Sequence, residues 1–403
     1  MVERPETRDL LGLVAAVVEK HDDELVELRR DLHRHPEVSW HEQRTSDRVV
    51  EHLERHGWRV SRMPRSGVIA DLGEDGPTVA LRADLDALPV ADLTTDPWAS
   101  SVPGVAHACG HDVHTAALVG AGHALGELHA RGLLRGRVRL LFQPAEEVMP
   151  GGARHLINHG ALEGVDRIFA LHCDPSVDVG AVGLRAGAIT SAADRIDVRL
   201  EGSGGHTSRP HLTGDLTFAL AKITSELPAV LSRRMDPRAG VSVVWGMLRA
   251  GSAANVIPDR GVASGTVRIL DAEAWASCEP VVREAILDIV RPYGVTAFVD
   301  YLQGVPPVVN DRVSVAMIAS TADELLGLHH RTEVEQSLGG EDFGWYLAQV
   351  PGAMFRLGTR SPGGPTFDLH QGDLEVDEAA IGYGARMLAG VAVRAIDDGL
   401  AGS

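Results

Sequence analysis

The chain is short of several things. Cysteine is scarce: three residues in 403, at positions 109, 173 and 278. An odd number without framework spacing argues against a disulfide-stapled secreted scaffold and suits a reducing compartment, where thiols serve as ligands, nucleophiles or core fillers. Positive charge is in deficit, with 38 Lys and Arg against 56 Asp and Glu and a formal net charge of −18. Phosphate binding needs a concentrated basic face, so nucleic acid and anionic membranes are not expected partners. Long apolar runs are missing. LVAAVV at 13–18 is short and flanked by charge, and MVERPETRDL carries acidic residues and no apolar core of a signal peptide. These absences point to the cytoplasm. Aromatic residues make up 4% of the chain, too few to read the walls of a substrate pocket from sequence.

What is present is organised in two patterns. A chain of 403 residues exceeds the size at which a single core stops growing, so two domains are expected. Residues 7–32 read as one charged amphipathic helix, ended by Pro36. Strands at 78–85, 137–144 and 167–172 then alternate with helices at 115–132 and 151–164, the signature of an α/β layer with a mostly parallel sheet. Between 187 and 303 the order becomes strand 195–202, helix 215–234, strands 241–251 and 261–270, helix 272–294 and strand 295–302. That β-α-β-β-α-β series is the ferredoxin-like order and reads as an inserted second domain. The first domain, 1–186, resumes over 304–403 with helix 311–327, strand 352–358 and a last helix from Asp377 to about Ala395.

Polar clusters follow the strands of the first domain: Arg82-Ala83-Asp84-Leu85-Asp86, HACGHDVHTA at 107–116, Glu146-Glu147 and His172, with His370 after the last strand. Open α/β sheets build sites beyond the carboxyl ends of their strands, so these segments can converge. In extended backbone Cys109 and His111 present both side chains on one side, where thiolate and imidazole can bind one cation or bridge two. Asp112 can orient an imidazole from behind. Extended backbone points Glu146 and Glu147 apart, which would let one bind metal while the other takes a proton from the attacking water. Each signal alone has a plain structural reading: CxH as core filler, paired glutamates as a solvated face, Asp84 and Asp86 as loop caps, His172 as a satisfied core residue. Five such clusters after successive strands are harder to assign to chance.

The segments RADLDALP, HACGHDVHTA, LLFQPAEE, ALH, GSGGHTSRPH, NVIPD, GTVR and GGEDF resemble the M20 metallopeptidases, most of all the branch of aminoacylases, hippurate hydrolases and auxin-conjugate hydrolases. The resemblance runs from His33-Arg34-His35-Pro36-Glu37 to His370. It implies a zinc-peptidase-like α/β catalytic domain with an inserted ferredoxin-like lid and dimerisation domain, and a likeness to homodimers. It implies two divalent ions, Zn²⁺ or Mn²⁺ with Co²⁺ or Ni²⁺ as further candidates, held by Cys109, His111, Glu147, His172 and His370. In it Glu146 is the general base and Asp84 lies behind the ligands. His206, Asn255 and Arg268 match lid residues that hold a substrate carboxylate or the developing oxyanion. The implied activity is cleavage of N-acyl amino acids, with a dipeptidase or carboxypeptidase on the same scaffold as the near alternative. The sequence departs from the family's habit at Thr207 and Ser208, at Cys173 and in HQGDLEVDE, none of which removes an implied ligand. A hydrolase with Cys109 as nucleophile and a non-catalytic metal-binding protein are the other classes. The intact Glu146-Glu147 pair argues against both.

Overall fold

The structure, a computed structural model, describes residues 5–401. Residues 1–4 and 402–403, the outer ends of the expected first domain, lie outside that description. The chain packs as two compact units. One takes residues up to Ile189, then Val309–Glu335 and the chain from Trp345 onward; the other takes Thr190–Val308 and Gln336–Gly344. The short 336–344 segment, which the sequence places with the first domain, packs with the second unit.

The first unit starts with helices α1 (Thr7–Lys20), α2 (Asp22–Arg34) and α3 (Gln43–Arg55). One helix was expected over 7–32; the chain instead turns at His21 (φ −105°, ψ 8°), which ends α1 and starts α2 without any Gly or Pro. There follow β1 (Arg59–Arg62), β2 (Val68–Leu72), β3 (Thr78–Asp84), α4 (His111–Ala130), β4 (Arg137–Gln143), the short α5 (Ala153–Asn158), β5 (Arg167–Asp178), β6 (Val182–Leu184) and β7 (Gly187–Ala188). After the second unit the chain adds β14 (Val309–Asn310), α8 (Arg312–Leu325), β15 (Arg331–Glu333), one turn of α9 (Gly344–Leu347), β16 (Gly352–Arg360) and α10 (Ala379–Ala401).

The main sheet runs β1-β2-β4-β3-β5-β16-β6-β15. Its centre, β4-β3-β5-β16, is parallel, whereas β1, β2 and β6 pair antiparallel with their inner neighbours, so the sheet is mixed. Every residue of β3 is buried, as expected for a parallel strand covered on both faces. Helix α4 is buried nearly all round, its polar His111, Asp112, His114, Thr115 and His123 included. At Gly120 a Cβ would stand 2.6 Å from Leu25 of α2 and 2.8 Å from Ala385 of α10. Only glycine lets those three helices approach so closely. No membrane span was expected, yet Ala379–Gly399 of α10 is long and apolar enough to cross a bilayer by composition alone. Its window is 78% buried within the molecule, so that apolarity serves the core.

The second unit contains β8 (Ala192–Glu201), β9 (Gly205–His206), α6 (Leu216–Arg234), β10 (Ser242–Ala250), β11 (Val256–Ile257), β12 (Arg260–Ile269), α7 (Ala272–Val290) and β13 (Thr296–Val305). Its sheet runs β10-β12-β8-β13, antiparallel throughout. With two intervening helices this is the ferredoxin-like topology. Asp215 and Asp271 start the two helices by accepting the backbone N–H of Phe218 and Ala274.

Candidate metal centre

The site lies at the carboxyl ends of the parallel strands of the first unit, and strand register sets its level. Asp84, the last residue of β3, is opposite Gln143 of β4. It stands two residues beyond the last β3–β5 pair, Arg82–Ala170, which is also the level of His172. The sequence reading ended β5 at His172; the strand continues to Asp178, so His172 projects from its middle. Its Nδ1 bonds the Cys173 carbonyl at 2.8 Å, which leaves Nε2 facing Cys109 Sγ at 3.6 Å.

Cys109 and His111 are not on extended backbone. Gly110 between them adopts φ +82°, and α4 begins at His111, four residues earlier than expected. The left-handed turn aims the two side chains together. A Cβ on Gly110 would meet Cys173 Sγ at 2.8 Å, so this turn needs glycine twice over. The first turn of α4 then docks on the end of β3. His114 Nδ1 lies 2.6 Å from Asp84, Thr115 donates to the Asp84 carbonyl at 3.0 Å, and His111 Nδ1 lies 2.9 Å from the Asp86 carbonyl.

Glu146 and Glu147 are likewise not extended. They follow Ala145, which has φ +54°, in a bend. Asp86 accepts both of their backbone N–H groups at 3.0 Å, and Glu42 accepts that of Ala145 at 2.8 Å. His370 also has positive φ, +64°; its N–H donates to the Ala108 carbonyl at 2.7 Å, tying its loop to the Cys109 segment.

Two donor sets result. The ligand atoms of Cys109, His111 and His172 lie within 4.8 Å of one another, and so do those of Cys109, Glu147 and His370. Cys109 belongs to both. Glu147 Oε1 stands 3.3 Å from His370 Nε2 and 3.8 Å from His111 Nε2. Neither Glu147 Oε1 nor His111 Nε2, both buried, has a hydrogen-bond partner among the described residues. Leaving such atoms unmet is costly, and divalent cations would satisfy them. Burial and the Glu147 carboxylate push the Cys109 thiol up. Burial would lower His111, but Asp84, Cys109 and Asp86 raise it well above its usual value. The Cys109 sulfur and the Glu147 carboxylate beside it raise His370 to about 10. The cluster thus favours a neutral thiol and protonated His111 and His370, protons that a binding divalent ion would displace.

Asp84 is buried, yet His111, Arg82 and His114 overcome that burial and hold its carboxyl well below the usual range. Asp112 faces away from the ligands. Burial would raise it, but Arg29 and His33, each at 2.8 Å, keep it ionised. The imidazole it orients is therefore His33, not His111. The residues backing His111 are Asp84 and Asp86, and of these the sequence reading left Asp86 as a loop cap. His114, Glu42 and the pair Arg29 and His33 were missed. The one usable signal was the Asp-x-Asp alternation directly after a buried strand.

His206, Asn255 and Arg268 all fall in the second unit. His206 and Asn255 are neighbours: β9 pairs with β11, and the Thr207 N–H donates to the Asn255 carbonyl at 3.2 Å. Both are exposed. Arg268 lies on β12, half-buried, opposite Ser242 and Ala193.

Residues 80–394 match the family model described as peptidase family M20/M25/M40. A Rhodococcus jostii (strain RHA1) protein, named as a candidate glutamate–cysteine ligase, is 48% identical over 98% of this chain, but the chain spans only 49% of its length. N-acetylcysteine deacetylase of Bacillus subtilis (strain 168) is 37% identical over 92% of this chain and 96% of its own. A solved Bacillus subtilis structure, described as a dinuclear metal-binding peptidase of the M20 family, superposes with a TM-score of 0.81 at 33% identity, covering 94% of this chain and 99% of its own.

Proposed function

Because the chain belongs to the M20/M25/M40 peptidase family, we propose that it is a metal-dependent amidohydrolase that splits N-acyl amino acids into a carboxylic acid and a free amino acid. The observation that supports this reading most is the pair of donor sets sharing Cys109, with Glu146 beside Glu147 on one anchored bend. Cys109, His111 and His172 would hold one divalent ion and Cys109, Glu147 and His370 the other, Zn²⁺ or Mn²⁺ first and Co²⁺ or Ni²⁺ next. When bound, such ions polarise the scissile carbonyl and make water more acidic. Glu146 takes the proton of the attacking water and returns it to the leaving nitrogen. Asp84 and Asp86 hold the imidazoles in their working orientation. The name of the Bacillus subtilis deacetylase supports acetyl amino acids as the first substrates to try.

The second unit is proposed as a lid and dimerisation domain. His206 and Asn255 would face the developing oxyanion, and Arg268 the substrate carboxylate. Its edge strand β10 exposes Val244 (62%) and Leu248 (52%), which supports edge pairing in a homodimer. Three buried free thiols support a reducing, cytoplasmic setting.

The test is amino-acid release from N-acetyl, N-benzoyl and longer N-acyl amino acids, with simple dipeptides alongside, before chelation, after it, and after Zn²⁺ or Mn²⁺ is restored. Release that stops with chelator and returns with metal supports the reading. Turnover of dipeptides alone shifts it to a peptidase. Chelator-resistant turnover abolished by thiol alkylation replaces it with a cysteine hydrolase.

A further inference from the structure

Away from that centre, the first unit gathers four imidazoles and a carboxylate where its outer helices meet. His21 forms the turn between α1 and α2, and Glu24 lies in the first turn of α2. His52 and His56 sit at the C-terminal end of α3, and His123 in the middle of α4. Ring centroids of His56 and His123 are 3.7 Å apart, those of His21 and His123 4.9 Å, and those of His52 and His123 5.6 Å. Glu24 approaches His21 Nδ1 at 3.0 Å and His52 Nδ1 at 3.3 Å.

Packing alone accounts poorly for this group. His123 is fully buried, and neither of its nitrogens has a hydrogen-bond partner among the described residues; His52 Nδ1 has none either. Other buried histidines of this unit do find partners, as His33 does in Asp112 and His114 in Asp84, whereas His107 shares the unmet state of His123 without a ring of donors around it. An unmet imidazole in the interior is costly, and two unmet nitrogens on one ring more so. The nitrogens of His21, His56 and His123 lie within 4.8 Å of one another, as do the donor atoms of Glu24, His52 and His123. His56 Nδ1 bonds the His52 carbonyl at 2.9 Å, which leaves its Nε2 available.

Burial and the neighbouring His56, His52 and His21 lower His123 to about 2, and burial together with Arg55 lowers His52 to about 4. Both rings are therefore neutral at pH 7, the form that binds metal. His21, Glu24 and His56 are only half-buried, so an ion can reach the group from solvent. An open cleft of about 960 Å³ beside it is lined by Glu24 and His52, and by Glu27, Glu51 and Glu54, with acids outnumbering arginines. Such a rim concentrates cations.

We propose that this helix junction is a second metal site, distinct from the hydrolytic centre, binding one transition-metal ion of the zinc, copper or nickel class. His123, His21 and His56 are its imidazole ligands, and Glu24 supplies the oxygen. Three nitrogens and one carboxylate suit these ions rather than calcium or magnesium. The ion would tie the α1–α2 turn, α3 and α4 to one point.

The experiment uses the full chain, stripped of metal, equilibrated with Zn²⁺ alone and freed of loose ions by gel filtration, with zinc per chain read by mass spectrometry. The double variant His21→Gln/His56→Gln, changed only at half-buried positions, is expected to keep one zinc fewer than the parent while hydrolysing at the parent rate. Equal zinc in the two proteins would overturn the proposal. Should the double variant fail to fold, protein carrying Cys109→Ala, His172→Gln and His370→Gln decides the question, since each hydrolytic donor set then keeps a single ligand. Co²⁺ bound there with nitrogen and oxygen bands and no thiolate charge-transfer band supports the site; no bound Co²⁺ refutes it. This outcome does not depend on whether the hydrolytic reading holds.

Discussion

Asp86 links two parts of the proposed hydrolytic site. Its carboxylate accepts the Glu146 and Glu147 N–H groups and the Ser39 hydroxyl, and lies 3.5 Å from His111 Nδ1. Asp86→Asn keeps the shape and removes the charge, so metal affinity should fall about 10–100-fold, read by competition with a chromophoric chelator. Glu146→Gln should behave differently: the rate should drop about 10²–10⁴-fold while metal content stays unchanged. Variants that lose rate and metal together would reassign Glu146 as a ligand. At this scale the sequence was informative where donors are crowded along the chain, as in HACGHD and PAEE. It was silent on which carboxylate backs which imidazole. Asp112 is next to His111 in sequence yet bonds His33, because the first turn of α4 turns the two side chains to different neighbours. That choice is made by tertiary packing, not spacing.

Among the elements, the ferredoxin-like series and the central strands were readable from alternation and period. Starts and stops were less so. Helix α4 begins at His111 because Gly110 can take φ +82°, and nothing in HACGHD announces a left-handed residue there. The α1–α2 break at His21 has no glycine or proline to mark it. Gly110→Ala tests the first point. Left-handed backbone costs alanine about 1–2 kcal/mol, and the new Cβ would collide with Cys173 Sγ at 2.8 Å. A loss of about 2 kcal/mol or more is expected in denaturant unfolding, with reduced metal content. Adding Cys173→Ala should recover the part due to the collision and leave the backbone part.

For the whole molecule, the histidine junction sets an acid limit. His123 and His52 sit at about 2 and about 4 when folded, against an ordinary 6.5. Below pH 6.5 the unfolded chain therefore binds protons that the folded chain refuses, and stability falls as pH drops toward 4. Above pH 6.5 these groups add no slope. The neighbours facing them, His21, His56, Glu24 and Arg55, do not reverse the sign. The melting temperature of chelator-treated protein should fall between pH 7 and 5, and fall less steeply in His123→Leu. An unchanged slope would remove His123 from the account. Buried His107, lowered to about 4 by burial, leaves a residual slope in both proteins.

The order of strands in the main sheet has a consequence for synthesis. The second unit is nearly contiguous in sequence, but β16, which sits between β5 and β6 in the main sheet, begins only at Gly352. His370 comes later still, and α10 closes the core last. On a ribosome adding about 5–20 residues per second, the inserted unit has most of its chain well before the surrounding one can close. Until then β5 and β6 wait with open edges, exposed to chaperones and to misassembly. The proposed donor set of Glu147 and His370 cannot be complete on a nascent chain that has not passed residue 370, so loading with two ions would come after that point.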